Sequence, residues 1–276
     1  MSGRKNAPSP VSWESINKRI EIWVKGVEPG IWRHADCLTS MPFLKKMEVM
    51  CMIVFERLKF QPVNSDDEFQ FSCSNCGECC RNIKEAVMVE SLDLFRIARY
   101  MKLTTAEAME AYTVPAFLSR GFPILLMKTK PHMDACVFLK DGKCSIHSIK
   151  PRTCRLYPLN AGPGNKSKSN FQYFIVSQRP HHFAGQRHRV GNWMGTHFKP
   201  EDRAFLLTEY EMAAEAGRLI RQIDAGHDDS IISAMLILRF FMFDTAQEFQ
   251  PQYERNVASL LNKLKDLTRK GGRDHG

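Results

Sequence analysis

The sequence predicts an α+β protein, on three observations. Apolar residues recur at helical spacing towards both ends of the 276-residue chain. Short alternating runs occupy its middle, and seven of its nine cysteines fall among them. A loop-rich core with short strands is expected there, flanked by N-terminal helices and a C-terminal helical segment.

Residues 1–12 read as a frayed tail. Residues 13–67 form the N-terminal segment, where Trp13, Ile16, Ile20 and Trp23 mark a helix to about Lys25 and a second helix runs from about Pro42 to Leu58. The central region covers 68–199. Glu68 to Phe71 alternates like a strand, and Ile83 to Val89 suggests another. Ser91 or Asp93 can cap a helix through Leu94, Ile97 and Met101, and Thr104-Thr105-Ala106-Glu107 opens the next with a capping box. Strands are expected over Pro123–Lys128, Ala135–Leu139 and Phe171–Val176, with a tight turn at Asp141-Gly142. The C-terminal segment, 200–268, holds three helices. The first runs from Pro200 to about Ile223, the second from Asp228 to about Phe249, and the third starts at Pro251. Residues 269–276 read as a disordered tail.

Composition narrows the class. Hydrophobic residues make up 43% of the chain, as in soluble globular proteins. No run reaches the ~18 apolar residues of a membrane span; Arg239 interrupts the nearest, Ile231 to Phe243. The start of the sequence lacks the apolar core of a secretory signal. A cytoplasmic protein without a membrane partner is the expectation. The +9 charge is concentrated: residues 142–200 hold ten Lys or Arg, five of the nine histidines, and no Asp or Glu. Such a stretch attracts an anion or offsets a thiolate cluster; a solvated basic loop explains it equally well.

In a reducing compartment, clustered thiols point to metal rather than disulfides, and an odd count forbids complete pairing. Cys37 and Cys51 lie apart, among apolar neighbours, and read as small buried hydrophobes. The other seven carry the chemistry. Cys73, Cys76, Cys79 and Cys80 fall within eight residues; Cys136, Cys144 and Cys154 follow. The Cys-x2-Cys-x2-Cys spacing lets a looping backbone aim three sulfurs at one centre. Thiolates suit zinc, iron and iron–sulfur clusters rather than magnesium or calcium. Neighbouring side chains normally diverge, so Cys79 and Cys80 are expected at different metal positions, unless one is a nucleophile or an outer thiol. Seven thiols fall one short of two four-thiolate sites, so a further ligand is needed or a site is open. His147, three residues after Cys144, is the first candidate for that ligand; His181 and His182 come next. Arg152 and Arg155, beside Cys154, could donate to metal-bound sulfur or pair with Glu78, Glu85 or another carboxylate.

These elements resemble the YkgJ-type cysteine-cluster family of zinc- or iron-chelating domains. The matching stretches are Cys73 to Cys80, Cys136-Val137-Phe138-Leu139, Gly142-Lys143-Cys144-Ser145-Ile146-His147, and Lys150 to Pro158. Here His147 stands where the family has tyrosine, and Lys150 where it has arginine. Many relatives place a further cysteine-glycine element after the second cluster, where this chain has Arg179-Pro180-His181-His182-Phe183-Ala184-Gly185. The family is distantly similar to flagellin lysine N-methylase. That resemblance implies metal binding, and further off methyl transfer from S-adenosylmethionine, although no glycine-rich loop for that cofactor is recognisable.

Two functional readings follow. One is an iron or iron–sulfur enzyme, possible N-methyltransferase chemistry included, that modifies a protein or peptide side chain. It rests on the odd ligand count and the adjoining basic, histidine-rich stretch, and no catalytic residue is assigned. The other is a structural zinc module whose basic surface contacts a protein or nucleic-acid partner. Phe171, Tyr173 and Phe174 near basic residues suit single-stranded nucleic acid in principle, but their alternation suits core packing better.

Overall fold

In the computed structural model, residues 60–271 are described, apart from 74–75, 82, 84–86, 118–121, 165–170, 177–181 and 224. The N-terminal helices, Cys37, Cys51 and His181 lie outside these residues. Short strands and helices alternate through the described chain, as an α+β fold requires.

Alternating apolar residues build the largest sheet. β8 (Phe171–Val176) is its centre, with β1 (Phe60–Val63) antiparallel on one side and β7 (Leu159–Pro163) on the other. β2 (Glu68–Gln70) pairs with β9 (Arg187–Arg189), Phe69 opposite His188. β3 (Thr113–Phe117) pairs with β4 (Pro123–Met127). A hairpin joins β5 (Leu139–Lys140) to β6 (Lys143–Cys144) through Asp141 and Gly142, with φ of 49° and 73°. Two positive φ values fit the tight turn read from Asp-Gly.

Helix α1 (Ser91–Met101) is preceded by Glu90, whose backbone N–H faces the Asp93 carboxylate at 3.5 Å. Neither Ser91 nor Asp93 is the cap residue itself; Asp93 takes the third helical position and reaches back to Glu90. Helix α2 (Thr105–Tyr112) opens with the reciprocal box read from sequence: Thr104 Oγ1 accepts from Glu107 N at 3.2 Å, and Glu107 accepts from Thr104 N at 2.8 Å. Two short helices, α3 (Arg152–Leu156) and α4 (Val190–His197), flank the cysteine region. Helices α5 (Pro200–Ile220), α6 (Asp228–Leu236) and α7 (Phe249–Gly271) form the C-terminal part.

Three expectations are corrected. Residues 83–89 show only an isolated bridge, Met88 to Leu126, among those described. Residues 135–138 run through bridges and turns, and only Leu139 enters a strand. The second C-terminal helix does not reach Phe249. After α6 it widens into a π-helical turn, Ile237–Phe241, and a loop follows before α7. α7 then begins at Phe249 rather than Pro251 and continues through Gly271, beyond the start of the expected tail.

Arg239 explains part of this departure. It sits in the π turn at 5% exposure, where an unpaired guanidinium would be costly. It pairs with Glu209 of α5 at 2.5 Å, donates to the Pro123 carbonyl at 2.8 Å, and lies over the Phe122 and Phe240 rings. Tyr253 of α7 donates to the same Glu209 carboxylate. This polar knot joins α5, α7 and β4 within an aromatic core of Phe95, Phe205, Phe243 and Phe249. The core continues without a break to Phe71, Cys80 and Cys136 at the cysteine region.

Candidate metal centre

The first cysteine run is a loop that turns at Gly77 (φ 72°) into a single 3-10 turn, Glu78–Cys80. Gly77 lies against the β5–β6 hairpin: a Cβ there would meet the Gly142 carbonyl oxygen at 2.2 Å. The loop is also tied by its backbone, since Cys136 N donates to Cys80 O at 2.8 Å and Arg81 bridges Ala135. These contacts bring residues some sixty apart in sequence to one place.

All seven clustered cysteines, together with His147 and His182, line one cavity of about 440 Å³. All seven are free thiols. Cys80 and Cys136 are buried, Cys144 and Cys154 are partly covered, and Cys73, Cys76 and Cys79 are exposed. Cys80 is the hub, its thiol in hydrogen-bonding contact with Cys136, Cys144 and Cys79. The side chains of Cys79 and Cys80 therefore meet rather than diverge, because the 3-10 turn folds one back towards the other. Hydrogen bonding within the cluster raises the Cys80 pKa and lowers those of Cys136 and Cys144, that of Cys144 to about 7. Burial pushes the Cys154 thiol up.

Cys76 and His182 form a separate group. His182 Nε2 is 3.4 Å from Cys76 Sγ, and its Nδ1 is 3.0 Å from the Tyr157 hydroxyl. Phe71, Tyr157 and Trp193 pack edge to face around them. His147 is at the exposed rim, where the positive charge of Lys150 lowers its pKa.

The arginines beside Cys154 donate to carboxylate, amide and carbonyl oxygens, although Arg155 also lines the cavity. Arg152, 4% exposed, grips Glu90 with two hydrogen bonds of 2.8 and 2.7 Å and reaches the Asn160 side chain and the Ala161 carbonyl. Its backbone N–H donates to Asp93 at 2.9 Å. Arg155 donates to Asp202 at 2.5 Å and to the Lys150 and His197 carbonyls. Asp202 also takes Arg96 at 2.5 Å and the Lys199 backbone N–H at 3.0 Å. The carboxylate alternative describes both arginines. They tie α3, and with it Cys154, to α1 and α5.

The donor set fits a soft metal ion or cluster. Seven thiols and three imidazoles, those of His147, His182 and His197, line the cavity, and no Asp or Glu does among the described residues; hard-ion sites are built from carboxylate and carbonyl oxygens. Among the described residues no three His, Cys, Asp or Glu side chains close around one point at ligand distance. The thiols gather around Cys80 instead.

Sequence reasoning assigned no role to Tyr157, Trp193, Glu90 or Asp202, although all four shape the site. Tyr157 lay inside the Cys154 motif. The carboxylates, more than 40 residues from their arginines, left no local signal.

Comparison with known proteins agrees with this chemistry. Residues 72–177 match the CxxCxxCC family, described as "Putative zinc- or iron-chelating domain". This central stretch is thus similar to that cysteine-cluster family; the residues on either side lie beyond the match. Over 90 residues the chain is 33% identical to "Uncharacterized protein MJ0661" of Methanocaldococcus jannaschii. That alignment covers 32% of this chain and 44% of the relative, so it spans less than half of the curated protein. No solved structure gives a significant match. No helix among the described residues is long and apolar enough to cross a membrane.

Proposed function

We propose that the cavity holds an iron or iron–sulfur centre on its thiolates and that the protein is an enzyme acting on a protein or peptide side chain. The observation that carries this reading is the size and make-up of the cavity. Seven thiols exceed the four ligands of one tetrahedral ion. A volume of about 440 Å³ lies in the range of small-molecule pockets, and Phe71, Ile83, Val87, Met127 and Phe138 supply apolar wall beside the sulfurs. When bound, such a centre supplies electron transfer or a Lewis-acid position. The chain's own residues would hold it: Cys79, Cys80, Cys136 and Cys144 around the hub, with Cys154, Cys73 and Cys76 beside them. Lys150 at the rim offsets thiolate charge. Methyl transfer from S-adenosylmethionine is the most specific form of this reading and rests on the resemblance alone.

The deciding experiment is metal and acid-labile sulfide analysis, with a visible spectrum, on protein purified without oxygen or chelators. Iron with sulfide and a broad visible absorption supports the reading. Stoichiometric zinc in a colourless protein refutes it in favour of a structural zinc module. One observation favours that second reading: Cys79, Cys136 and Cys144 gather on Cys80, and four thiolates are the ligand number of a closed zinc site. The exposed Arg187 and Arg189 of β9 would then offer a basic surface to a protein or nucleic-acid partner.

A further inference from the structure

We propose that His182 is a ligand of the metal in this cavity, bound through Nε2 beside Cys76, and that the Tyr157 hydroxyl holds the ring through Nδ1. The inference rests on the metal-binding reading above and adds a named imidazole, the nitrogen it binds through and the residue that holds it.

A ligand histidine needs a lone pair facing the metal and a partner on the other nitrogen. His182 has both. Its side chain lines the cavity, the residue is only 7% exposed, and Nδ1 stands 3.0 Å from the Tyr157 oxygen. A phenol oxygen accepts a hydrogen bond as readily as its O–H donates one. With Nδ1–H donating to Tyr157, the Nε2 lone pair points to the sulfur of Cys76. The Phe71 and Tyr157 rings stand edge to face with the imidazole, at interplanar angles of 85°, and hold it in that plane.

The spacing is also that of two ligands of one ion. Zinc–sulfur and zinc–nitrogen bonds of ~2.3 and ~2.05 Å at a tetrahedral angle place the two donors about 3.5 Å apart. The Cys76 Sγ to His182 Nε2 distance is 3.4 Å. His147, preferred on sequence because it follows Cys144 by three residues, has no such arrangement. It is exposed, and its neighbour is the cation of Lys150.

The test is nitrogen NMR of the full chain, labelled with 15N-histidine and loaded with zinc or 113Cd. His182 is assigned as the resonance lost in His182→Gln. The expected result is an Nδ1–H, Nε2-metal pattern that appears with metal, and with 113Cd a one-bond coupling to Nε2. Tyr157→Phe should leave the metal count unchanged while weakening affinity roughly 10- to 100-fold in chelator competition, as loss of a ligand's partner does. His182→Cys should bind the same number of ions, with one more sulfur donor in the Co2+ absorption spectrum. Normal metal uptake with unchanged His182 nitrogens overturns this inference and leaves metal binding intact. A chain that takes up no metal overturns both.

Discussion

Gly77→Ala is the sharpest perturbation of the site, because one methyl group tests how the two cysteine regions are joined. Gly77 has φ of 72°, and its Cβ would stand 2.2 Å from the Gly142 carbonyl oxygen and 3.0 Å from Leu139 Cδ1. The left-handed conformation alone costs an alanine about 1–2 kcal/mol. The Gly142 carbonyl belongs to backbone and cannot swing aside as a side chain would, so the loop and hairpin must separate. Overpacking of this kind costs about 1–3 kcal/mol, for a sum of about 2–5 kcal/mol. At about 2–4 °C per kcal/mol for a chain of this size class, Tm should fall by about 4–20 °C. The cysteine loop and the hairpin carry Cys79 and Cys80 on one side and Cys136 and Cys144 on the other, so metal stoichiometry should fall too. Gly142→Ala is the control: it shares a positive φ of 73° but has nothing within 4 Å, and should show only the conformational cost. Calorimetry and metal analysis on both variants decide the matter. If Gly77→Ala melts within a degree or two of Gly142→Ala and binds full metal, the close approach does not hold the site together.

Other substitutions and conditions probe the frame. Asp202→Ala leaves Arg96 and Arg155 facing one another without their shared carboxylate. A loss of about 3–5 kcal/mol is expected in denaturant unfolding, and a loss under 1 kcal/mol would show the pair to be solvent-compensated. Burial raises the Asp93 carboxyl from 3.8 to about 7, so the folded state binds its proton more tightly than the unfolded chain does. Its contribution to stability is greatest below pH 3.8 and is lost as pH rises to about 7; Asp93→Asn should flatten stability against pH in that window. Metal removal at neutral pH should lower Tm and speed proteolysis within residues 73–154, because a centre bound only by folded protein stabilises it by mass action. Equal cleavage of the apo and loaded forms would refute that.

Local patterns were legible and long-range partners were not. The Thr104–Glu107 box, the Asp141-Gly142 turn and the Phe171–Val176 strand each depend on neighbouring residues, and each forms where the sequence placed it. The cavity was legible in part: the spacing of Cys73, Cys76 and Cys79 implied a shared centre, the seven thiols together left one centre or two open, and one cavity receives them all. The helix expected through Phe249 failed because its apolar run contains Arg239, whose buried charge needs Glu209 of α5 and the Pro123 carbonyl. Nothing near Arg239 in sequence announces either. Cys79 and Cys80 were expected to diverge, as they would along a strand; the 3-10 turn that brings their thiols into contact depends on Gly77 lying against a hairpin some sixty-five residues away.

The way the thiols are positioned separates them by how much protein stands behind each. Cys80 and Cys136 are joined by a backbone hydrogen bond, and Cys144 ends the hairpin on which Gly77 lies. Cys154 rides on a helix held at its first residue by Glu90 and Asp93, and through Arg155 by Asp202. None of these contacts uses a sulfur, so the frame does not depend on what the sulfurs bind. A donor set held by independent contacts gives up little conformational entropy when a metal arrives. It also resists being drawn into the geometry an incoming ion prefers, so the protein has a say in which metal and which nuclearity it accepts. The exposed Cys73 and Cys76 differ, since His182 is the polar side chain facing Cys76. Selectivity is therefore expected to reside in the hub, and exchange of ligand or substrate at the Cys76–His182 side of the cavity.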